Sequence, residues 1–171
     1  MGKITFILGG ARSGKSRYAL EVALKYGKVA FIATCQPLDD EMKMRIHTHK
    51  KHRPKSWQTF EEPQDIYGLL KKIKSKFELI IIECLTLWVS NLLLKGAKEK
   101  EIISKLDRAI DSLKKSKAES IIVSNEVGLG IVPKNKLSRD FRDIAGKLNQ
   151  LVAKDADEVI LMVSGLPIKI K

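Results

Sequence analysis

Cysteine is nearly absent from this 171-residue chain: Cys35 and Cys84 are the only two, and they form no Cys-x-x-Cys pair. That excludes a disulfide framework and points to reduced thiols in a cytoplasmic protein. Long apolar runs are missing too. The longest, "LIIIECLTLWVSNLLL" over 79–94, is broken by Glu83, Ser90 and Asn91 and is short for a bilayer span. The five-residue apolar run near the start passes straight into a glycine loop, which is not the form of a signal peptide. No repeat, low-complexity linker or break in composition divides the chain, so a single domain over 1–171 is expected. Acidic residues are also scarce, 20 against 32 Lys and Arg, for a formal charge of +12. Such an excess raises nucleic acid or phosphate-rich ligands as partners. Most of the lysines, however, lie along helical stretches such as "LLKKIKSK" and "SLKKSKAE" with little aromatic interleaving, the pattern of a solvated face. The local exception is the basic patch at 43–55.

What is present is a globular composition, 44% hydrophobic. Short runs rich in Ile and Val, at 3–8, 29–33, 79–83, 120–124 and 158–164, read as buried strands. Amphipathic stretches between them predict helices over about 14–26, 39–51, 63–75, 86–95, 99–117 and 137–154. In the last, Phe141, Ile144, Ala145, Leu148, Leu151 and Val152 recur at helical spacing. Continuous apolar strands separated by helices predict an α/β fold with a mainly parallel sheet flanked by helices.

The sharpest chemical signal is "GGARSGKS". Gly9, Gly14, Lys15 and Ser16 fit G-x-x-x-x-G-K-[ST]. A predicted strand leads in and a predicted helix leads out, so the context is that of a P-loop, whose backbone N–H groups wrap a phosphate at a helix N-terminus. Lys15 would neutralise the β- and γ-phosphates, and the Ser16 hydroxyl would hold Mg²⁺. Such an enzyme also needs an acid at the end of a neighbouring strand. "LIIIE" supplies Glu83, as a Mg²⁺-binding carboxylate or as a plain solvent-facing strand end.

Two further segments read less sharply. "SNEVGLGIVP" (124–133) follows a strand, with Gly128 and Gly130 beside the polar Asn125 and Glu126, and fits a ligand loop or an ordinary glycine loop equally. Glu61 and Glu62 precede Pro63, which is also a common way to start a helix.

All three histidines fall in "RIHTHKKHRP" (45–54). On a helix, His47 and His49 lie about 200° apart, and the dense positive charge repels cations, which disfavours a shared metal. His49 instead stacks with Arg45 one turn earlier, and His52 lies near the helix end because Arg53 precedes Pro54. Neighbouring cations would keep His49 neutral and nucleophilic towards phosphorus. A solvated basic helix remains the plainer reading of the same residues.

Taken together, "GGARSGKS", the spaced "DDEM…RI..HK..RP..W.T.EEP", "ECLTLWVSNLL", "NEVGLGIVP", "LSRDFRDIAGKLNQ" and "DADEVILMVSGLP" resemble, nearly end to end, the bifunctional adenosylcobinamide kinase/adenosylcobinamide-phosphate guanylyltransferase family of cobalamin biosynthesis. The resemblance implies a P-loop NTPase-like fold and two reactions. The first phosphorylates the aminopropanol hydroxyl of adenosylcobinamide; the second adds GMP from GTP through a guanylylated histidine and releases pyrophosphate. The family's Arg-Ile-x-x-His spacing selects His49, with Lys15 as its catalytic companion. Nucleotide contacts are implied at Gly9, Gly10, Ala11, Arg12, Ser13, Gly14, Lys15 and Ser16, and at Thr34, Cys35 and Gln36. Others fall at Lys51, His52, Arg53 and Pro54, and at Glu62 and Glu83. Mg²⁺ on Ser16 and Glu83, GTP and ATP as co-substrates, a homotrimer with the nucleotide near subunit boundaries, and a cytoplasmic location follow from the same resemblance. Cys35 stands where a smaller residue is expected, and the 95–118 region is short. Two rival readings stay open: a monofunctional small-molecule P-loop kinase whose His49 merely lines the site, and a basic nucleic-acid-binding P-loop NTPase.

Overall fold

The computed structural model describes residues 2–37, 40, 43–44, 50 and 53–171. In chain order the elements are β1 (Ile4–Gly9), α1 (Lys15–Ala23), β2 (Val29–Ala33), β3 (Gln58–Glu61), α2 (Ile66–Ile73) and β4 (Leu79–Glu83). These are followed by α3 (Leu85–Leu94), α4 (Glu99–Lys114), β5 (Glu119–Asn125), α5 (Lys136–Asp155), β6 (Glu158–Val163) and β7 (Leu166–Lys169). All seven strands join one sheet in the order β3-β2-β4-β5-β1-β6-β7. Every pairing is parallel except β6 with β7.

The inner strands lose the usual apolar–polar alternation because both faces of the sheet are covered. On one face, Ile4, Phe6, Ile32, Ile80, Ile82 and Ile122 pack beneath α2, α3, α4 and α5. On the other, Ile7, Phe31, Ile81, Val123 and Ile160 meet Ala19 and Ala23 of α1, with Trp57 alongside. The register aligns Gly9 with Asn125 and Ala33 with Glu83, so β1, β2, β4 and β5 present their carboxyl ends at one edge of the sheet.

Two strands escape the sequence reading. β3 and β7 lie at the two edges of the sheet, and their residues are mostly exposed, so neither shows an apolar run. Pro167 within β7 is tolerated because an edge strand need not donate on its outer side. α2 begins three residues later than Pro63 suggested: Asp65 is the N-cap, its Oδ1 accepting from Gly68 N at 2.9 Å, and Glu62 and Pro63 belong to the preceding turn. The predicted helix over 39–51 lies largely outside the described residues; Asp40, Lys43, Met44 and Lys50 are helical. Among the described residues no helix is long and apolar enough to cross a membrane.

Candidate active site

Gly9 closes β1 between Asn125 of β5 and Met162 of β6. Its φ is 155°, and a Cβ there would lie 2.5 Å from the Met162 carbonyl oxygen and 2.6 Å from Ser13 Oγ. Only glycine lets the loop leave the sheet at this point. Gly14, at φ 94°, is the N-cap of α1, and no side chain caps that helix end. The first N–H groups of α1 therefore remain directed at the loop, the setting that binds phosphate. Lys15 is only 7% exposed. Its Nζ donates to Gly10 O at 2.6 Å and to Ser13 Oγ at 3.4 Å. Burial pushes the Lys15 ammonium below the ordinary lysine pKa, with Cys84 and Glu83 acting in the opposite direction.

Ser16 Oγ donates to Glu83 Oε1. The pairing of P-loop serine and strand-end acid expected from sequence is thus realised, although not across neighbouring strands. β5 separates β1 from β4, and the two groups meet because Glu83 points to the same sheet face as Ile81, the face that carries α1. Glu83 Oε2 is buried and has no hydrogen-bond partner among the described residues. A buried carboxylate oxygen beside a serine hydroxyl is a pair of hard oxygen donors, which suits Mg²⁺. No group of three or more His, Cys, Asp or Glu side chains among the described residues could hold a metal alone.

The segment after β2 is fixed from below. Thr34 is fully buried, and its N–H donates to Glu83 O at 2.9 Å. Its hydroxyl donates to Cys84 O at 2.7 Å and accepts from Cys84 N at 2.8 Å, gripping both sides of the residue after Glu83. The polar groups of Thr34 are therefore used inside the protein, whereas its neighbours Ala33, Cys35 and Gln36 are partly accessible. Asn91 of α3 donates from Nδ2 to Thr34 O at 2.7 Å and to Pro63 O at 3.1 Å. Trp88 Nε1 donates to Gln64 O at 2.9 Å. Within that turn, Glu62 Oε1 accepts from Gln64 N and Asp65 N at 2.9 and 2.7 Å. Asn91 and Trp88 thus tie together two segments the sequence singled out separately. Their signal was a polar or hydrogen-bonding group inside the apolar "LTLWVSNLLL", visible but with no partner to point to.

Of the basic patch, Lys43, Lys50, Arg53, Pro54 and Lys55 are described, whereas Arg45, His47, His49, Lys51 and His52 lie outside the described residues. The Arg53 guanidinium stacks on the buried Phe31 ring, 3.6 Å from its centroid. Burial lowers its pKa from the ordinary value, opposed by the charges of Glu83 and Glu61. Arg53, Pro54, Trp57, Thr59 and Glu61 line a cleft of about 370 Å³ beside the β3 edge. Lys50 Nζ pairs with Glu61 Oε1 across it at 2.6 Å.

The glycine loop after β5 joins the P-loop directly, since Glu126 N donates to Gly9 O at 3.0 Å. Below it, Thr86 Oγ1 accepts from Asn125 N at 2.7 Å and lies 3.2 Å from Ser124 Oγ. Asn149 Nδ2 donates to Asn125 O at 3.2 Å.

With this geometry established, the family model described as cobinamide kinase / cobinamide phosphate guanyltransferase matches residues 5–170. The chain belongs to that family. It is 44% identical to the bifunctional adenosylcobalamin biosynthesis protein CobU of Salmonella typhimurium, covering 96% of this chain and 98% of the relative. It is 41% identical to the protein of the same name from Escherichia coli K12, with the same coverage. The bifunctional adenosylcobalamin biosynthesis protein CobP of Pseudomonas aeruginosa is 41% identical over 96% and 95% of the two chains. Among solved structures, an ATPase from the type III secretion system of pathogenic bacteria superposes over 99% of this chain and 57% of its own, with TM-score 0.62 at 10% identity. The RadB recombinase covers 94% and 74%, with TM-score 0.57 at 17% identity. At such identities these two share the fold alone, and the P-loop architecture expected from the sequence is the one found. Membership of the cobinamide kinase/guanyltransferase family makes the chain an enzyme of cobalamin biosynthesis.

Proposed function

We propose that the chain phosphorylates adenosylcobinamide with a nucleoside triphosphate and then transfers GMP from GTP to the new phosphate, giving adenosylcobinamide-GDP and pyrophosphate. The observation that carries this reading is the Lys15–Ser16–Glu83 constellation at the P-loop mouth, in a chain that spans its bifunctional relatives almost completely.

In the first step the substrate hydroxyl attacks the γ-phosphorus and the nucleoside diphosphate leaves. Lys15, prepositioned over the loop, and the N–H groups at the start of α1 stabilise the charge on the transferring group. Ser16 and Glu83 would hold Mg²⁺, which when bound would supply further neutralisation of that charge. In the second step an imidazole nitrogen of His49 attacks the α-phosphorus of GTP and pyrophosphate leaves. An oxygen of the substrate phosphate then attacks the same phosphorus, breaks its bond to nitrogen and regenerates the histidine. Arg53, fixed on Phe31 and within electrostatic reach of Glu83, is a nucleotide contact in this reading, as are Lys51 and His52. Gly9 to Ser16, Cys35, Gln36, Pro54 and Glu62 complete the nucleotide site; Thr34 acts by holding its neighbours in place.

ATP and GTP both serve as phosphoryl donors in this reading. The chain works as one domain, in the cytoplasm, as a homotrimer. Exposed Leu166, Ile168 and Ile170 along the β7 edge are apolar surface suited to self-association.

The test is incubation with Mg²⁺ and GTP labelled in the α-phosphate. The expected result is an acid-labile adduct mapping to the 45–53 peptide, lost in His49→Ala while γ-phosphoryl transfer to adenosylcobinamide persists. A wild-type protein that transfers the γ-phosphate but takes up no label is a kinase alone. Equal labelling of His49→Ala removes the histidine from the mechanism.

A further inference from the structure

We infer that the loop after β5 carries the docking platform for the corrin ring of the substrate, through Leu129, Ile131 and Val132. The inference rests on the proposed cobinamide activity and specifies where the macrocycle lies.

Leu129 and Ile131 are the two most exposed large hydrophobic side chains among the described residues, at 89% and 96%, and Val132 follows at 59%. Their exposure does not come from a slack loop. At its base, Glu126 N is bonded to Gly9 O, and Glu126 Oε1 accepts from Gly128 N at 2.7 Å. At its far end, Arg139 Nη1 donates to Pro133 O at 3.1 Å and to Lys134 O at 2.5 Å. Asn135 Oδ1 then caps α5 by accepting from Ser138 N at 2.7 Å. A loop fastened at both ends that still presents three branched aliphatic side chains to water is holding them for a ligand.

Position and chemistry identify the ligand. The phosphoryl acceptor must place its hydroxyl over the P-loop, and the loop starts there. Ile131 is five positions after Glu126, so it lies within ~18 Å of Glu126, whose N–H is bonded to Gly9 O, by the reach of an extended chain. A corrin offers apolar faces and an amide rim, with the reacting hydroxyl on a flexible arm. Branched aliphatic tips match the face, and the arm spans the remaining distance to the phosphate. Further along the chain, Leu137 and Phe141 of α5 face Leu94 of α3 across a groove of about 190 Å³. Neither Leu129 nor Ile131 contributes to the sheet cores, so their apolar character has no structural use in the fold.

The first measurement is hydrogen exchange of the full-length wild-type protein with and without adenosylcobinamide, in the absence of nucleotide. Slowed exchange of amides 127–132 is expected, and no slowing there overturns the platform. The second is the double variant Leu129→Ser/Ile131→Ser. The KM for adenosylcobinamide should rise at least about tenfold, which corresponds to ~1.4 kcal/mol. The KM for nucleotide and the molar mass by light scattering should stay unchanged. An unchanged corrinoid KM overturns the inference. So does a fall in molar mass, which would assign the loop to contact with a second copy of the chain. If the double variant does not fold, exchange on the wild type decides. Loop protection without phosphorylation upholds the platform while removing the proposed activity; phosphorylation without protection does the reverse.

Discussion

Asn91 Nδ2 donates to the carbonyl of Thr34 at 2.7 Å, joining α3 to the segment after β2 from 57 positions away in the sequence. The same nitrogen reaches Pro63 O at 3.1 Å, so one buried amide holds both the 34–36 segment and the turn that carries Glu62. In the proposed nucleotide site, Asn91 is therefore a positioning residue for two walls. Replacing it by Leu leaves two carbonyls unsatisfied in the interior, at a cost of about 2 kcal/mol. The expected result is a lower Tm by calorimetry and a raised KM for nucleotide, with kcat changed much less. A variant that loses stability while keeping the wild-type nucleotide KM would confine Asn91 to a structural role.

The pair Gly9 and Gly10 separates backbone necessity from mere loop composition. In Gly9→Ala the new methyl meets the Met162 carbonyl oxygen at 2.5 Å, a backbone atom of β6 that cannot swing aside. A Cβ at Gly10 meets nothing within 4 Å. Thermal denaturation should show Gly9→Ala destabilised by about 3 kcal/mol or more, in the range of severe core defects, and Gly10→Ala unfolding close to the wild type.

Glu83→Gln preserves shape and removes charge. Ser16 keeps an acceptor, but the hard-cation pair loses its carboxylate. The expected loss in kcat for both reactions is about 10²–10³-fold, the scale of removing a key electrostatic group from an active site. The Mg²⁺ concentration for half-maximal rate should shift upward, and the fold should be intact by circular dichroism.

Lys15 must be protonated to bind phosphate, and burial lowers its pKa from the ordinary 10.5. Affinity for a fluorescent ATP analogue should accordingly decline with rising pH before a free lysine would begin to titrate. Because the Glu83 charge raises the Lys15 pKa, Glu83→Gln should move this alkaline limb to lower pH still. A limb at the same pH in both proteins would show that the two charges do not interact.

What the sequence made legible follows from how local each signal was. The P-loop is one contiguous octapeptide between a strand and a helix, so its residues, spacing and context could all be read together. Glu83 was visible as the acid ending a buried run, but the strand order that brings it to Ser16 was not, because β5 enters between β1 and β4 from much later in the chain. β3 and β7 were missed because edge strands with exposed side chains carry no apolar period. Thr34 was expected at the nucleotide, yet its side chain turns inward to Cys84, a partner 50 positions away. Among the three histidines, helix phase gave His49 an Arg45 partner, its cationic surroundings gave it a candidate nucleophilic role, and the family spacing selected it over the plainer reading of a solvated basic helix.

The strand that separates Gly9 from Glu83 also sets a fixed gauge. Two inter-strand spacings come to ~9.6 Å, and the β1–β5–β4 ladders hold that width against deformation. The frame cannot stretch or contract to suit whichever phosphorus is about to react. In the proposed two-step reading, whatever distinguishes attack on the last phosphate from attack on the first therefore lies outside the β1–β5–β4 frame.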